Sequence, residues 1–220
     1  SKLPNRYGAL MISANLNGDL LDAANWTMTN CLVQDKDYMN GKFLGWLEGQ
    51  ALVTKNNQLV NVIRVHIHPG TTEQMAIIKT DCDNTHIYFE PIAGFTNFEG
   101  GSKKFTIRYD SSTRRYWSLV NNIPAGYESA YPASVRNYLS VASSPDLVHW
   151  TLHRTVLSHP DRYKHGFQYV DWQFEGKDII FLSRTSYDDD FGGADNYHNA
   201  NYLTFHRIEN YKDLLSQTIE

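Results

Sequence analysis

The chain has 220 residues, a formal net charge of −4 and 41% hydrophobic residues, enough apolar material for a sizeable core. The acidic balance argues against a nucleic-acid partner. The absence of any run of 18 apolar residues argues against a membrane-spanning helix. No signal peptide is visible at Ser1. Cys31 and Cys82 fit no zinc spacing and are too few for a disulfide framework. They read as two buried thiols, with a single disulfide as the alternative.

Read in chain order, the sequence gives short runs rich in Val, Ile, Tyr, Phe and Thr between turn signals. Strands are expected at 8–13, 26–30, 50–54, 59–65, 74–79, 85–89, 104–109, 115–120, 136–142, 151–156, 166–173, 178–184 and 201–207. Helical periodicity is confined to 19–25 and 210–219. Three hairpin turns stand out: Lys55-Asn56-Asn57, Asp110-Ser111-Ser112 and Glu175-Gly176-Lys177. The strands group in fours, as 48–90 and 103–156, with three at 166–208 and two outer strands at 8–30. This is the rhythm of a β-propeller, of which the chain supplies about three blades and part of a fourth. A propeller must close, because open sheet edges are unstable. The missing N-terminal half is therefore expected elsewhere in the same protein or on a separate chain. A self-contained β-sandwich is the alternative.

Four residues at predicted strand edges carry chemistry. Glu48 follows Gly45-Trp46-Leu47, and Arg64 closes Val60-Asn61-Val62-Ile63. Arg136 opens Arg136-Asn137-Tyr138-Leu139, and Tyr169 lies in Gly166-Phe167-Gln168-Tyr169-Val170-Asp171-Trp172. Arginine forks hold a carboxylate bidentately, which lysine cannot do. A neutral tyrosine can attack an anomeric centre that bears a carboxylate, and a glutamate can take its proton. The bland alternative makes the arginines exposed strand-end charges and Tyr169 a core residue. In Ser143-Ser144-Pro145-Asp146-Leu147-Val148-His149-Trp150, Asp146 can accept backbone N–H groups of the turn while Trp150 packs beneath.

In order and spacing, these segments across residues 45–185 resemble the C-terminal portion of the sialidase superfamily, including a degenerate Asp-box turn. The resemblance implies a sialidase-like propeller and retaining exo-cleavage of a terminal acidic sugar. Tyr169 and Glu48 would be the catalytic pair, and Arg64 and Arg136 would grip the carboxylate. Trp172, His165, Asp195 and His198 would join them at the substrate. An aspartate acid/base and a first arginine are not found in the chain, and Val170 and Trp172 depart from the family's serine and leucine.

The loop from Tyr187 to Asn199 is dense in Asp, Asn and Gly, as functional rims often are. Its oxygen ligands would suit Ca²⁺, although it lacks EF-hand spacing. Otherwise no cofactor or metal is expected. His66 and His68 share a strand face but have no evident third ligand. Other readings stay open: a polysaccharide lyase acting on a uronate glycan, a non-catalytic carbohydrate-binding propeller, or a furanosidase-type propeller using Glu48 and Asp171. The expected partner is an acidic glycan, and the expected location is secreted or periplasmic.

Overall fold

The computed structural model describes residues 7–68 and 72–216. Among these residues the regular structure is all β apart from short 3-10 turns, and no helix is long and apolar enough to cross a membrane. Four separate antiparallel sheets form, with two, five, four and three strands. The chain divides into two compact units, one of residues 1–68 and 75–96 and the other of 69–74 and 97–220.

In the first unit, β1 (Ile12–Ala14) pairs with β2 (Trp26–Met28). The larger sheet contains β3 (Phe43–Val53), β4 (Leu59–Ile67), β5 (Gln74–Thr80) and β6 (Ile87–Tyr88), with β7 (Phe95–Asn97) also paired to β5. The Lys55-Asn56-Asn57 turn forms as expected, with Asn57 at φ +61°, a conformation asparagine tolerates well. β3 begins seven residues before the expected start, because Gly45 and Gly49 interrupt the apolar pattern without ending the strand. The bends are absorbed by register shifts at Phe43/Gly45 and Trp46/Gly49. The core packs Phe43, Trp46, Ile63, Val65, Ala76 and Ile78. Tyr38, Phe89 and Phe95 close around Trp46 at centroid distances of 5.0–6.2 Å. Both cysteines are free, and contrary to expectation both are exposed, on loops outside this core.

In the second unit, β8 (Ile107–Asp110), β9 (Arg115–Val120), β10 (Tyr138–Ser144) and β11 (Thr151–Ser158) form one sheet in sequence order. The other sheet is β12 (Gly166–Glu175), β13 (Asp178–Ser186) and β14 (Tyr202–Ile208). Trp117, Leu119, Leu139 and Val141 from the first sheet share one core with Phe167, Val170, Trp172, Ile179, Phe181 and Ile208 from the second. The expected C-terminal helix is a short 3-10 turn, Tyr211–Leu215, and residues 217–219 of that expectation lie outside the described residues. Its Tyr211 and Leu214 are buried in the same core. The Tyr211 hydroxyl donates to Asp110 Oδ2 at 2.9 Å. A second tie is buried outright: Lys103 Nζ meets Glu73 Oε1 at 2.7 Å, and Glu73 also accepts the N–H groups of Gly100 and Ser102 at 3.1 Å.

Candidate functional site

In the first unit, Glu48 lies inside β3 at its second register shift, not at the start of a strand. That bulge turns its carboxylate toward the neighbouring strand β4. There Arg64 Nη1 donates to Oε2 at 3.1 Å and to Oε1 at 3.3 Å. The Arg64 side chain is only 12% exposed, and its Nε is buried without a hydrogen-bond partner. His66 is two residues along β4, and burial followed by the Arg64 charge pushes its pKa below the ordinary histidine value. Its neighbour His68 is exposed.

In the second unit the backbone singles out one residue. Tyr169 has φ +51° at the β-bulge where β12 loses register with β13 between Gln168 and Asp171. A bulky side chain in the left-handed region is an outlier that the surrounding structure must hold in place. What holds it is a ring of cations and amides. The Arg184 guanidinium carbon lies 4.2 Å from the Tyr169 ring centroid and that of Arg136 lies at 5.6 Å. His198 meets the same ring edge-on at 6.3 Å.

The supports behind this ring are buried. Arg136 Nη1 donates to Gln168 Oε1 at 2.5 Å, and its Nε donates to the Ala133 carbonyl at 2.9 Å. The Gln168 amide donates to the Tyr197 and His198 carbonyls at 2.7 and 3.0 Å. Arg184 Nη2 donates to the His198 carbonyl at 3.0 Å, leaving its buried Nε with no hydrogen-bond partner. Gly166 makes this crowding feasible, because a Cβ there would sit 2.5 Å from the Tyr197 carbonyl oxygen.

The structure therefore gathers Arg136, Tyr169 and His198, and separately pairs Glu48 with Arg64 in the other unit. It spends the remaining expected residues differently. Trp172 is 3% exposed within the core, its indole N–H on the Thr106 carbonyl at 2.9 Å. That burial differs from the expected place at a substrate. The signal was available, since Val170, Trp172 and Phe174 alternate along one strand face. Asp195 is exposed on its loop, and Asp171 pairs with Arg108 at 3.1 Å. His165 is buried against His159, with ring centroids 3.4 Å apart.

Sequence reasoning missed Arg184, Gln168 and Tyr197. Counting back from the Glu175–Asp178 turn brings Arg184 only to the neighbourhood of the bulge, where the structure pairs it with Gln168.

The turn at Asp146 forms as its chemistry suggests. Oδ1 accepts the N–H groups of Val148 and His149 at 2.9 and 2.8 Å. Burial pushes this carboxyl up, but those bonds and His149 hold it below the usual carboxylate range. Trp150 packs on Phe98 at 4.7 Å. Both line a cleft of about 1060 Å³ together with Glu73, Glu99 and Tyr131. There, burial and then the Glu73 charge push the Glu99 carboxyl upward.

No family model matches the chain, and no curated protein matches it. Solved structures do. An α-L-arabinofuranosidase from Fusarium graminearum, in complex with an iminosugar inhibitor, superposes with a TM-score of 0.50 at 10% identity, covering 80% of this chain and 48% of that one. A GH43 β-1,3-galactosidase gives 0.40 at 15% identity, covering 72% of this chain and 30% of that one. An exo-β-1,3-galactanase from Clostridium thermocellum gives 0.43 at 12% identity, with 84% and 37% covered.

The chain thus shares its fold with about half the length of the arabinofuranosidase. This overturns the sialidase-superfamily resemblance. A solved structure that shares the fold is an arabinofuranosidase, and the ordered residues from Glu48 to Trp172 raise no family model of any kind. The motifs behind that resemblance were short and individually common, and the Asp146 turn remains a local turn.

Proposed function

We propose that the chain is part of a glycoside hydrolase built as a β-propeller, and that Arg136, Tyr169, Arg184 and His198 form the wall that receives a carboxylate-bearing sugar. The observation that carries this reading is Tyr169 itself, an aromatic residue held at φ +51° with two guanidinium groups within 5.6 Å of its ring centroid. Strain of this kind is retained where a side chain must be aimed. The tyrosine ring and the Arg184 guanidinium packed on it at 4.2 Å supply the aromatic surface and the positive charge that a carboxylate-bearing sugar calls for. The likeness to an arabinofuranosidase supports the propeller and the reaction class.

A second reading has its own observation. Glu99, pushed upward beside the buried Glu73 in a cleft walled by Trp150 and Tyr131, has the character of a general acid.

The test is turnover and binding by the complete protein on paired substrates, a uronate-bearing oligosaccharide beside neutral arabinofuranosides and galactosides. Arg184→Ala is expected to weaken the acidic substrate at least tenfold and leave neutral ones unaffected. If Arg184→Ala changes nothing while Glu99→Gln abolishes turnover, the site is the cleft and the first reading falls.

A further inference from the structure

We propose that His159, His165 and Asp188 form a binding site for a divalent metal ion of the zinc class. One ligand atom from each of these residues lies within 4.8 Å of the others. The independent observation is His165. It is 3% exposed, and neither of its ring nitrogens has a hydrogen-bond partner. A buried imidazole ordinarily satisfies its nitrogens, and leaving both without a bond is costly.

What His165 faces instead is charge. Asp188 Oδ1 is 3.4 Å from Nε2 and Asp161 Oδ2 is 3.5 Å from Nδ1. These separations are too long for good hydrogen bonds. Tetrahedral zinc binds nitrogen and oxygen at about 2.0–2.2 Å, which sets its ligand atoms roughly 3.3–3.6 Å apart, so His165 Nε2 and Asp188 Oδ1 at 3.4 Å already stand at that spacing.

The fold explains why these residues meet. His165 immediately precedes β12 and Asp188 follows β13, at the end of the hairpin where Gly166 pairs with Ser186. His159 follows β11 in the neighbouring sheet and stacks on His165 with the rings 21° apart, so one ring turns out of the stack for both in-plane lone pairs to meet one ion. Tyr187 closes the other side, edge-on to both rings at 5.0–5.4 Å. A metal here would join the free ends of two sheets of the second unit.

Donor type sets the ion. Two imidazoles with one carboxylate suit zinc, cobalt or nickel, whereas calcium and magnesium prefer oxygen alone. Asp161 is a positioning residue. Its negative charge, 3.5 Å from Nδ1, favours the proton of His165 on that nitrogen and so leaves Nε2 for the metal on the side of Asp188. His159 Nδ1 accepts the Asp161 backbone N–H at 3.1 Å, a weak bond that metal ligation through this ring replaces.

The test is titration of the chelator-stripped chain with zinc chloride alone against a chromophoric competitor, with thermal unfolding followed in parallel and calcium chloride as the control. The expected result is one equivalent of zinc bound, with a raised melting temperature and no response to calcium. Asp188→Asn, an exposed change that leaves the core intact, should weaken zinc at least tenfold, and His165→Asn should abolish the site. Should His165→Asn fail to fold, His159→Gln takes its place. The proposal is overturned if zinc does not bind, if it binds equally to wild type and Asp188→Asn, or if calcium binds as well as zinc.

Discussion

Replacing Tyr169 with alanine and, separately, with glycine isolates the backbone strain at the bulge. Both variants remove the ring and its contacts with Arg136, Arg184 and His198, so their difference reports the backbone alone. In an ordinary strand, glycine is less stable than alanine by about 0.5–1 kcal/mol because it loses more chain entropy. At φ +51° the order should invert. A left-handed residue with a Cβ costs about 1–2 kcal/mol that glycine does not incur. The net expectation is that Tyr169→Gly is more stable than Tyr169→Ala by roughly 0.5–1 kcal/mol. Urea unfolding followed by tryptophan fluorescence reads this, since Trp117 and Trp172 lie in the core beside the bulge. If alanine proves equal to or more stable than glycine, the residue is not strained, and the argument that strain marks it for function fails.

Two further predictions concern stability. Lys103→Met should destabilise by about 3 kcal/mol, because Glu73 is left buried with only two backbone N–H partners. Adding Glu73→Gln should recover much of that loss, measured by the urea midpoint. Tyr211→Phe should cost about 1.5 kcal/mol near neutrality, the worth of one bond to a charged acceptor.

That last cost should fade at both pH extremes. Burial pushes Asp110 up, but bonds from Thr113, Ser112 and Tyr211 outweigh it and bring it to about 2. Its contribution is therefore complete above the ordinary carboxylate range and is lost as pH falls toward 2. Burial and Asp110 push Tyr211 up to about 12, so its contribution is complete below pH 10 and is lost as pH rises from there toward 12. Urea midpoints at pH 3, 7 and 11 should show the gap between the two proteins widest at 7. A gap independent of pH would rule out the bond as its source.

How legible the molecule was depended on how local each signal is. β4, β5, β9 and β13 were readable because apolar runs end at unambiguous turns, as at Lys55-Asn56-Asn57 and Glu175-Gly176-Lys177. β7 was missed because three residues after Gly94 show no periodicity, and its pairing with β5 is a tertiary event. At the site, Tyr169 and Arg136 were readable as residue types in extended segments. The bulge that aims Tyr169 has no glycine to announce it, so neither its left-handed backbone nor the approach of Arg184 follows from alternation alone. The histidine pair was missed because His159 and His165 sit in a loop, where strand alternation says nothing about direction. Short motifs shared by many β-proteins suggested a family that the shared fold does not support.

The bond from Tyr211 to Asp110 spans 101 residues, so it can form only after both sheets of the second unit have been made. While the chain is being made, the first of the two sheets in that unit emerges complete with Ser158. One face of Trp117 must then wait for Tyr211, which meets it edge-on at 5.0 Å. At a synthesis rate of about 5–20 residues per second, that wait lasts several seconds. During it the part of the core that Tyr211 and Leu214 cover is without them, so the short turn at residues 211–215 is the last piece of that core to be made.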